Sequence, residues 1–243
     1  VISGGSGGHC GAFANCINLS GSLIIPEGVE EIGPAAFACC TSLTGRLQLP
    51  STLKRIGSAK GYDPYWDGTF TECNFTCELI IPDSVEEIGM GAFRYCKNLY
   101  GELRLPDNLK NIGASAFEGC ENLSGSLEIP QGVLSIPVNC FNGTWLGGAL
   151  VLHDGIVTIG DGAFANTGLK GELRLPKNLE VISHNVFYNC DFSGELVLPE
   201  GLYTIGDKAF AYNWRLMGVL EIPQNVISIG AGAFAHCRSL EGV

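Results

Sequence analysis

The cysteines are the residues most able to do chemistry in this sequence, because a thiol can pair into a disulfide, bind a soft metal or act as a nucleophile. Seven of the eleven lie three residues after a recurring phenylalanine: Cys16, Cys40, Cys73, Cys96, Cys120, Cys190 and Cys237. A position that recurs in this way indicates packing, so we interpret these residues as buried free thiols. The odd total leaves at least one cysteine unpaired, and a bridge between Cys73 and Cys77 is the alternative left open.

No other group of residues has the spacing of a catalytic or metal site. The histidines His9, His153, His184 and His236 are scattered without the ribbon or helix spacing of metal ligands. The glycine-rich start, residues 3–8, lacks the lysine and the following helix of a phosphate loop. The sequence therefore predicts no catalytic residue, no cofactor and no metal, and we expect that the protein is not an enzyme.

Two sets of residues are candidates for ligand contact. The first lies in an insertion near residues 58–69, where Gly57 to Phe70 spans nine positions more than the equivalent Gly33 to Phe37. Insertions in repeat proteins emerge as loops on one face, often the binding face. This loop combines aromatic rings with carboxylates, a mixture suited to protein hot spots or to sugar rings: Tyr62, Asp63, Tyr65, Trp66 and Asp67.

The second set is a row of apolar residues at one repeat position. That position holds Glu30, Lys54, Glu86 and Lys110 in the first four repeats and turns largely apolar afterwards. If these side chains face solvent, they form an exposed apolar stripe that marks a contact surface, and if the backbone turns them inward they are core. The stripe consists of Leu134, Val157, Tyr203 and Ile227.

Charge and hydropathy exclude two classes of partner. The formal net charge is -11 with only 14 basic residues, so the lysine and arginine clusters of a nucleic-acid interface are missing. No apolar run is long enough to cross a bilayer, and the first residues do not have the pattern of a signal peptide. We expect no nucleic acid and no membrane insertion in this fragment, and a signal sequence outside it if the protein is exported.

The elements that position these residues come from an internal repeat. A pattern that reads Gly-x-Leu-x-(Ile/Leu)-Pro-x-x-(Val/Leu)-x-x-Ile-Gly-x-x-Ala-Phe-x-x-Cys-x-x-Leu returns nine times, about every 23 to 24 residues, after an incomplete first unit. Its isoleucine is unbroken at Ile32, Ile56, Ile88, Ile112, Ile136, Ile159, Ile182, Ile205 and Ile229. One unit is too short to enclose a core, so equivalent residues must stack on the next unit and form a solenoid.

Within each unit, the alternating Leu-x-(Ile/Leu) segment predicts a short strand, and the stacked strands predict a parallel sheet. The proline that follows ends the strand because it has no N–H for the ladder. We expect the Ile-Gly-x-x-Ala-Phe segment to form one or two turns of tight helix, with Pro34 at a first helical position. Residues 1–243 are thus predicted to form one domain.

Units such as residues 103–123, with Leu103, Pro106, Ile112, Phe117 and Cys120 in register, resemble the BspA-like leucine-rich repeats of bacterial and protist surface proteins. The resemblance covers essentially the whole chain. It implies a leucine-rich-repeat solenoid, a curved right-handed β/α superhelix, together with a secreted or cell-surface location and adhesion or protein binding. It implies no catalytic residues and leaves the ligand open.

These observations favour a non-enzymatic recognition module for a protein or glycan ligand at a cell surface. The alternative is a structural spacer or stalk within a larger surface protein. The sequence stops inside a repeat without a polar capping unit, so we also expect an uncovered last coil. Either further repeats follow it in the longer protein, or this end packs on another molecule in an end-to-end or weak homo-oligomer contact.

Overall fold

The computed structural model describes residues 11–58 and 68–242, which form a stack of coils with three sides. Two sides carry short parallel strands and the third consists of turns. The strands are β1 Leu23–Ile24, β2 Glu31–Ile32, β3 Leu47–Gln48, β4 Arg55–Ile56, β5 Glu87–Ile88, β6 Gly101–Glu102, β7 Asn111–Ile112, β8 Leu123–Ser124, β9 Leu127–Glu128, β10 Ser135–Ile136, β11 Leu150–Val151, β12 Thr158–Ile159, β13 Lys170–Gly171, β14 Val181–Ile182, β15 Asp191–Glu195, β16 Thr204–Ile205, β17 Arg215–Val219, β18 Ser228–Ile229 and β19 Ser239–Glu241.

Every strand pairing joins one coil to the next in the repeat register. On the first side, which we call the leucine side, Leu23 pairs with Leu47 and Leu127 with Leu150. On the second, which we call the isoleucine side, Ile32 pairs with Ile56 and Ile205 with Ile229. The parallel pairing predicted from the repeat is therefore confirmed, and it occurs on two sides of the coil because the x-Ile segment also forms strands.

The centre of the stack is a continuous column of phenylalanine rings. Ten rings, one from each coil, stack with neighbouring centroids 5.0 to 5.7 Å apart. The eight inner rings are at most 2% exposed, whereas Phe13 at one end is 42% exposed. Leucine and isoleucine ladders surround this column, so each coil buries its apolar residues mainly against its two neighbours.

The prediction of helical turns on the third side is wrong, because the described residues contain no helix. The segment from Gly33 to Cys40 is a chain of tight turns in which Ala36 N–H donates to Gly33 O and Cys40 N–H to Phe37 O. Pro34 lies inside the first of these turns and begins no helix. The detail of a β/α superhelix is thereby corrected to a stack of strands and turns.

The physical reason is a left-handed residue two positions after every repeat phenylalanine. The φ angle there is 58° at Cys39, 55° at Tyr95 and 69° at Gly119, and a second such residue, with φ 53° at Ala35, precedes the phenylalanine in most coils. A right-handed helix cannot continue through these angles. The amides turn outward instead, so Phe37 N–H donates to Thr69 O and Cys39 N–H to Thr71 O in the next coil.

The isoleucine of the last coil differs from its equivalents. Ile229 is 49% exposed, whereas the other eight isoleucines of its ladder are at most 6% exposed. Among the residues that the structure describes, none covers the outer side of this coil. The end-to-end contact stays a prediction.

A close approach of backbones explains the glycine after the ladder isoleucine. A Cβ atom on Gly113 would overlap the main-chain nitrogen of Met90 and the carbonyl carbon of Gly89. We expect Gly113→Ala to lower the free energy of unfolding by about 2 kcal/mol, because backbone atoms of two coils must separate. Gly201→Ala is the matched control, since nothing lies within 4 Å of its added Cβ. Urea denaturation of both variants measures the difference, and equal stabilities would contradict the packing argument.

Candidate interaction surfaces

The described residues hold no group of three or more metal-ligating side chains that could bind a metal ion. Histidines there take part in local contacts instead. His153 replaces the repeat proline, and its Nε2 lies 3.1 Å from both Pro130 O and Val133 O, while Gly155 N–H donates to its Nδ1. This ring ties one coil to the preceding one, which is a structural role.

All ten cysteines of the described chain are free thiols. Of the seven ladder cysteines, six are buried and Cys16, in the first coil, is exposed. Cys77 does not bridge to Cys73; its sulfur accepts a hydrogen bond from Leu47 N–H at 3.3 Å.

Each buried ladder thiol donates a hydrogen bond to a phenylalanine carbonyl of the preceding coil. Cys96 Sγ lies 2.9 Å from Phe70 O and Cys120 Sγ lies 3.0 Å from Phe93 O. Where the ladder lacks cysteine, Thr144, Thr167 and Asn213 stand at the same position and donate to the phenylalanine carbonyl of their own coil at 2.8, 2.9 and 2.9 Å. In every coil after the first, this position therefore holds a buried hydrogen-bond donor.

Burial makes these thiols poor acids and poor nucleophiles. Desolvation raises the pKa of Cys190 to about 12, with a smaller opposing effect of the hydrogen bond from Thr167. Desolvation also raises the pKa values of Cys73, Cys96, Cys120 and Cys140. Thiolate chemistry at the ladder is thus unfavourable in the folded protein.

The row that contains the predicted stripe lies at the corner before the isoleucine side, where two successive residues of each coil face outward. Val133 and Ile136 point into the core with 1% and 0% exposure, while Leu134 between them is 54% exposed. The other stripe residues are also exposed: Val157 (54%), Tyr203 (40%) and Ile227 (83%). All four side chains therefore reach solvent, although Glu180 interrupts the row between Val157 and Tyr203.

The first four coils present charged residues in the same row. Lys110 Nζ lies 2.7 Å from Glu86 Oε2, and this hydrogen bond is the main cause that lowers the pKa of the Glu86 carboxyl. The neighbouring Arg55 forms an ion pair with Glu31 at 2.6 Å. The corner is thus polar in one half of the solenoid and largely apolar in the other half.

A third surface, which the sequence analysis did not single out, lies where the turn side meets the leucine side. Trp145 and Trp214, both four residues after a repeat phenylalanine, are 73% and 53% exposed. Beside Trp214 is a groove of about 430 Å³ that includes Asn189, Asp191 and Arg215. The feature of the sequence that indicates this surface is the repeat position that the two tryptophans share.

Polar and aromatic ladders border this third surface. The Asn189 amide donates to Asn166 Oδ1 at 3.2 Å, and the Asn166 amide donates to Asn142 Oδ1 at 3.3 Å. In the following coils the ladder becomes aromatic, with Tyr212 and His236 stacked at 4.4 Å. Such side-chain ladders fix the orientation of the exposed groups from one coil to the next.

The insertion candidates Tyr62, Asp63, Tyr65, Trp66 and Asp67 lie outside the residues that the structure describes. Only the ends of the insertion, Ser58 and Gly68 to Thr69, belong to the described chain, and Thr69 is completely buried.

Across residues 11–58 and 68–242, no helix is long and apolar enough to span a membrane.

A family model and one solved structure agree with this architecture. A family model described as a BspA type leucine rich repeat region matches in six copies, over residues 9–60, 66–193 and 147–243. A leucine-rich repeat protein from Bacteroides ovatus superimposes with a TM-score of 0.53 and 23% identity, covering 93% of this chain and 72% of that chain. A leucine rich cell surface protein from Faecalibacterium prausnitzii gives a TM-score of 0.48 and 23% identity, with 92% and 79% coverage. The search of curated protein sequences finds no match.

Proposed function

Because this chain belongs to the BspA-type leucine-rich-repeat family, we propose that it is a non-enzymatic recognition module of a secreted or cell-surface protein and binds a protein or glycan. The observation that carries the proposal is the exposed apolar stripe of Leu134, Val157, Tyr203 and Ile227. Solvent-exposed apolar side chains cost the protein solubility, and patches of them mark interaction surfaces. Here they form two adjacent pairs, Leu134 with Val157 and Tyr203 with Ile227, on either side of Glu180.

The fold does not require apolar residues in this row. Glu30, Lys54 and Lys110 occupy the same position in coils with the same backbone pairing, and they are exposed and charged. A spacer needs only stacking, so it would present the same bland polar surface along its whole length. The change from a charged to an apolar surface between Lys110 and Leu134 favours a binder over a spacer.

The insertion loop is the second surface that we propose for ligand contact. Tyr65 and Trp66 offer flat apolar area with polar handles, and Asp63 and Asp67 add acceptors. This part of the proposal rests on the sequence alone.

A binding screen of the purified protein against extracellular matrix proteins and glycans, both immobilised on a surface, tests the proposal. We expect Leu134→Gln/Val157→Gln to weaken binding to the captured ligand by tenfold or more, since central apolar contacts carry about 2 kcal/mol or more each. The matched control is Glu30→Gln/Lys54→Gln, which changes the same row in its charged half and should bind as the wild type does. Tyr65→Ala/Trp66→Ala reports separately on the insertion.

Thermal melting of each variant separates lost contacts from lost folding. An unchanged affinity of the Leu134→Gln/Val157→Gln variant would contradict the stripe as a binding surface. If Tyr65→Ala/Trp66→Ala lowers the melting temperature but binding stays intact, the insertion serves to cover the core. If the wild-type protein captures nothing from the whole panel, the spacer function is favoured instead.

A further inference from the structure

The two described tryptophans point to a more specific ligand. We propose that Trp145 and Trp214 are stacking platforms of a track that binds a neutral oligosaccharide along the solenoid. This inference rests on the proposed recognition function and adds a site and a ligand class to it. It is separate from the apolar stripe, which lies at the corner before the isoleucine side.

The two tryptophans share one repeat position and lie three coils apart. Successive coils are joined by parallel strand pairing, so each step is about 4.8 Å and the two rings are roughly 14 Å apart along the stack. Both lie four residues after the phenylalanine of their coil, and the two coils between them hold Gly168 and Asp191 there. A ligand that reaches both rings must therefore be extended and must run parallel to the axis of the stack.

Packing gives no reason for tryptophan at this position. Other coils hold Lys97, Glu121 and Arg238 there, and the core beneath them is equally closed. Trp145 leaves 73% of its surface in solvent, which is unusual for the largest aromatic side chain. A ligand that covers the exposed rings would explain why tryptophan occurs at this position.

The groove beside Trp214 supplies polar groups in the arrangement that sugar hydroxyls need. Asp191 and Arg215 line it and are fixed against each other at 3.2 Å, so a carboxylate acceptor and a guanidinium donor lie side by side. Asn189 lines the same groove and adds an amide. A sugar ring matches this combination because it has an apolar face for stacking and hydroxyls at its edge.

Charge and layout favour a neutral sugar over the other ligand classes. Near the track the charges are paired, with Asp191 against Arg215 and Lys97 Nζ against Glu121 Oε1 at 2.8 Å, so no single sign dominates. The guanidinium of Arg238 lies 5.1 Å from the centroid of the Trp214 ring, so it covers one face of that ring and a sugar would stack on the other face. Protein hot spots cluster at the centre of an interface, whereas these two rings are separated along a line by Gly168 and Asp191.

The test is titration of the full chain with neutral hexasaccharides: a β-1,4-glucan, a β-1,3-glucan, an α-1,4-glucan and a β-1,4-linked N-acetylglucosamine polymer. Glucose and N-acetylglucosamine serve as single-unit probes. We expect at least one hexasaccharide to bind with submillimolar affinity, and its single unit to bind at least tenfold more weakly because it reaches only one platform. Isothermal calorimetry gives the affinities.

The variants Trp145→Ala and Trp214→Ala should each weaken binding of that hexasaccharide by about tenfold. Neither should lower the melting temperature, because both side chains are exposed. Tyr100→Ala is the matched control, since it removes an exposed aromatic side chain that belongs to neither proposed binding surface. Failure of every hexasaccharide to bind at millimolar concentration would overturn the proposal. The sugar proposal would also be overturned if the tryptophan variants lost binding to a protein ligand but bound every sugar as the wild type does. That result would leave the proposed recognition function intact.

Discussion

Replacing Phe117 by alanine is expected to lower the free energy of unfolding by about 4 kcal/mol, a large part of the stability of a domain. The ring is fully buried and stacks on Phe93 at 5.5 Å and on Phe141 at 5.6 Å. Its removal leaves a cavity in the middle of the column, where backbone pairing between the coils prevents collapse. The loss combines apolar transfer, the cavity and two aromatic contacts.

The end of the same column provides the control. Phe13 is 42% exposed and, within the described part of the chain, stacks on Phe37 alone, at 5.0 Å, so Phe13→Ala should cost about 1 kcal/mol. Phe117→Leu keeps most of the volume and should fall between the two. Urea denaturation followed by circular dichroism measures all three. Equal effects of Phe117→Ala and Phe13→Ala would show that the column does not carry the stability of the stack.

The sequence was sufficient for the column, the ladders and their parallel register, because every coil repeats the same apolar positions and stacking alone can bury them. It misled on the turn side. Ala35 and Cys39 adopt φ values of 53° and 58°, which alanine and cysteine rarely do. Because nothing in these residue types indicates a left-handed conformation, the spacing of three between Phe37 and Cys40 predicts a helix that does not form. The informative signal was asparagine, at Asn139 and Asn166 for example, since asparagine tolerates this conformation.

For the candidate surfaces, the sequence fell short for a geometrical reason. Two residues separate Val133 from Ile136, and a strand would point one of them inward, so periodicity alone left the orientation of Leu134 open. The corner of the coil decides it by turning both residues outward. The tryptophan track escaped notice because Trp145 and Trp214 interrupt a variable position, and only the coil geometry shows that this position forms a line on the surface.

Five buried cysteines, four of the ladder and Cys140 outside it, predict a loss of stability in alkali. Burial raises the pKa values of Cys73, Cys96, Cys120, Cys140 and Cys190 in the folded state, whereas unfolded thiols ionise near pH 8.5. Below that pH both states hold their protons, and the stability is fully present. As the pH rises above it, the unfolded state loses protons that the folded state keeps, so stability falls.

Each thiol whose pKa is raised in this way lowers the free energy of unfolding by about 1.4 kcal/mol for each pH unit above its unfolded pKa, as long as the folded state keeps its proton. The losses of the buried thiols add, so the protein is expected to unfold more readily as the pH rises above about 9. Urea denaturation at a series of pH values, in the presence of a reductant, measures the slope of the free energy of unfolding against pH. Tyrosine and lysine side chains also titrate in this range, so the thiol contribution must be isolated by substitution.

The chain itself shows which substitution to use. Threonine replaces cysteine at Thr144 and Thr167, where it is buried and hydrogen-bonded, so Cys96→Thr/Cys120→Thr should fold. This variant is expected to have a slope smaller than that of the wild type by about 3 kcal/mol per pH unit, because two titrating groups are gone. Cys16→Thr removes an exposed thiol and should leave the slope unchanged. If the wild type and Cys96→Thr/Cys120→Thr lose stability in parallel above pH 9, buried thiols are not the cause of the alkaline transition.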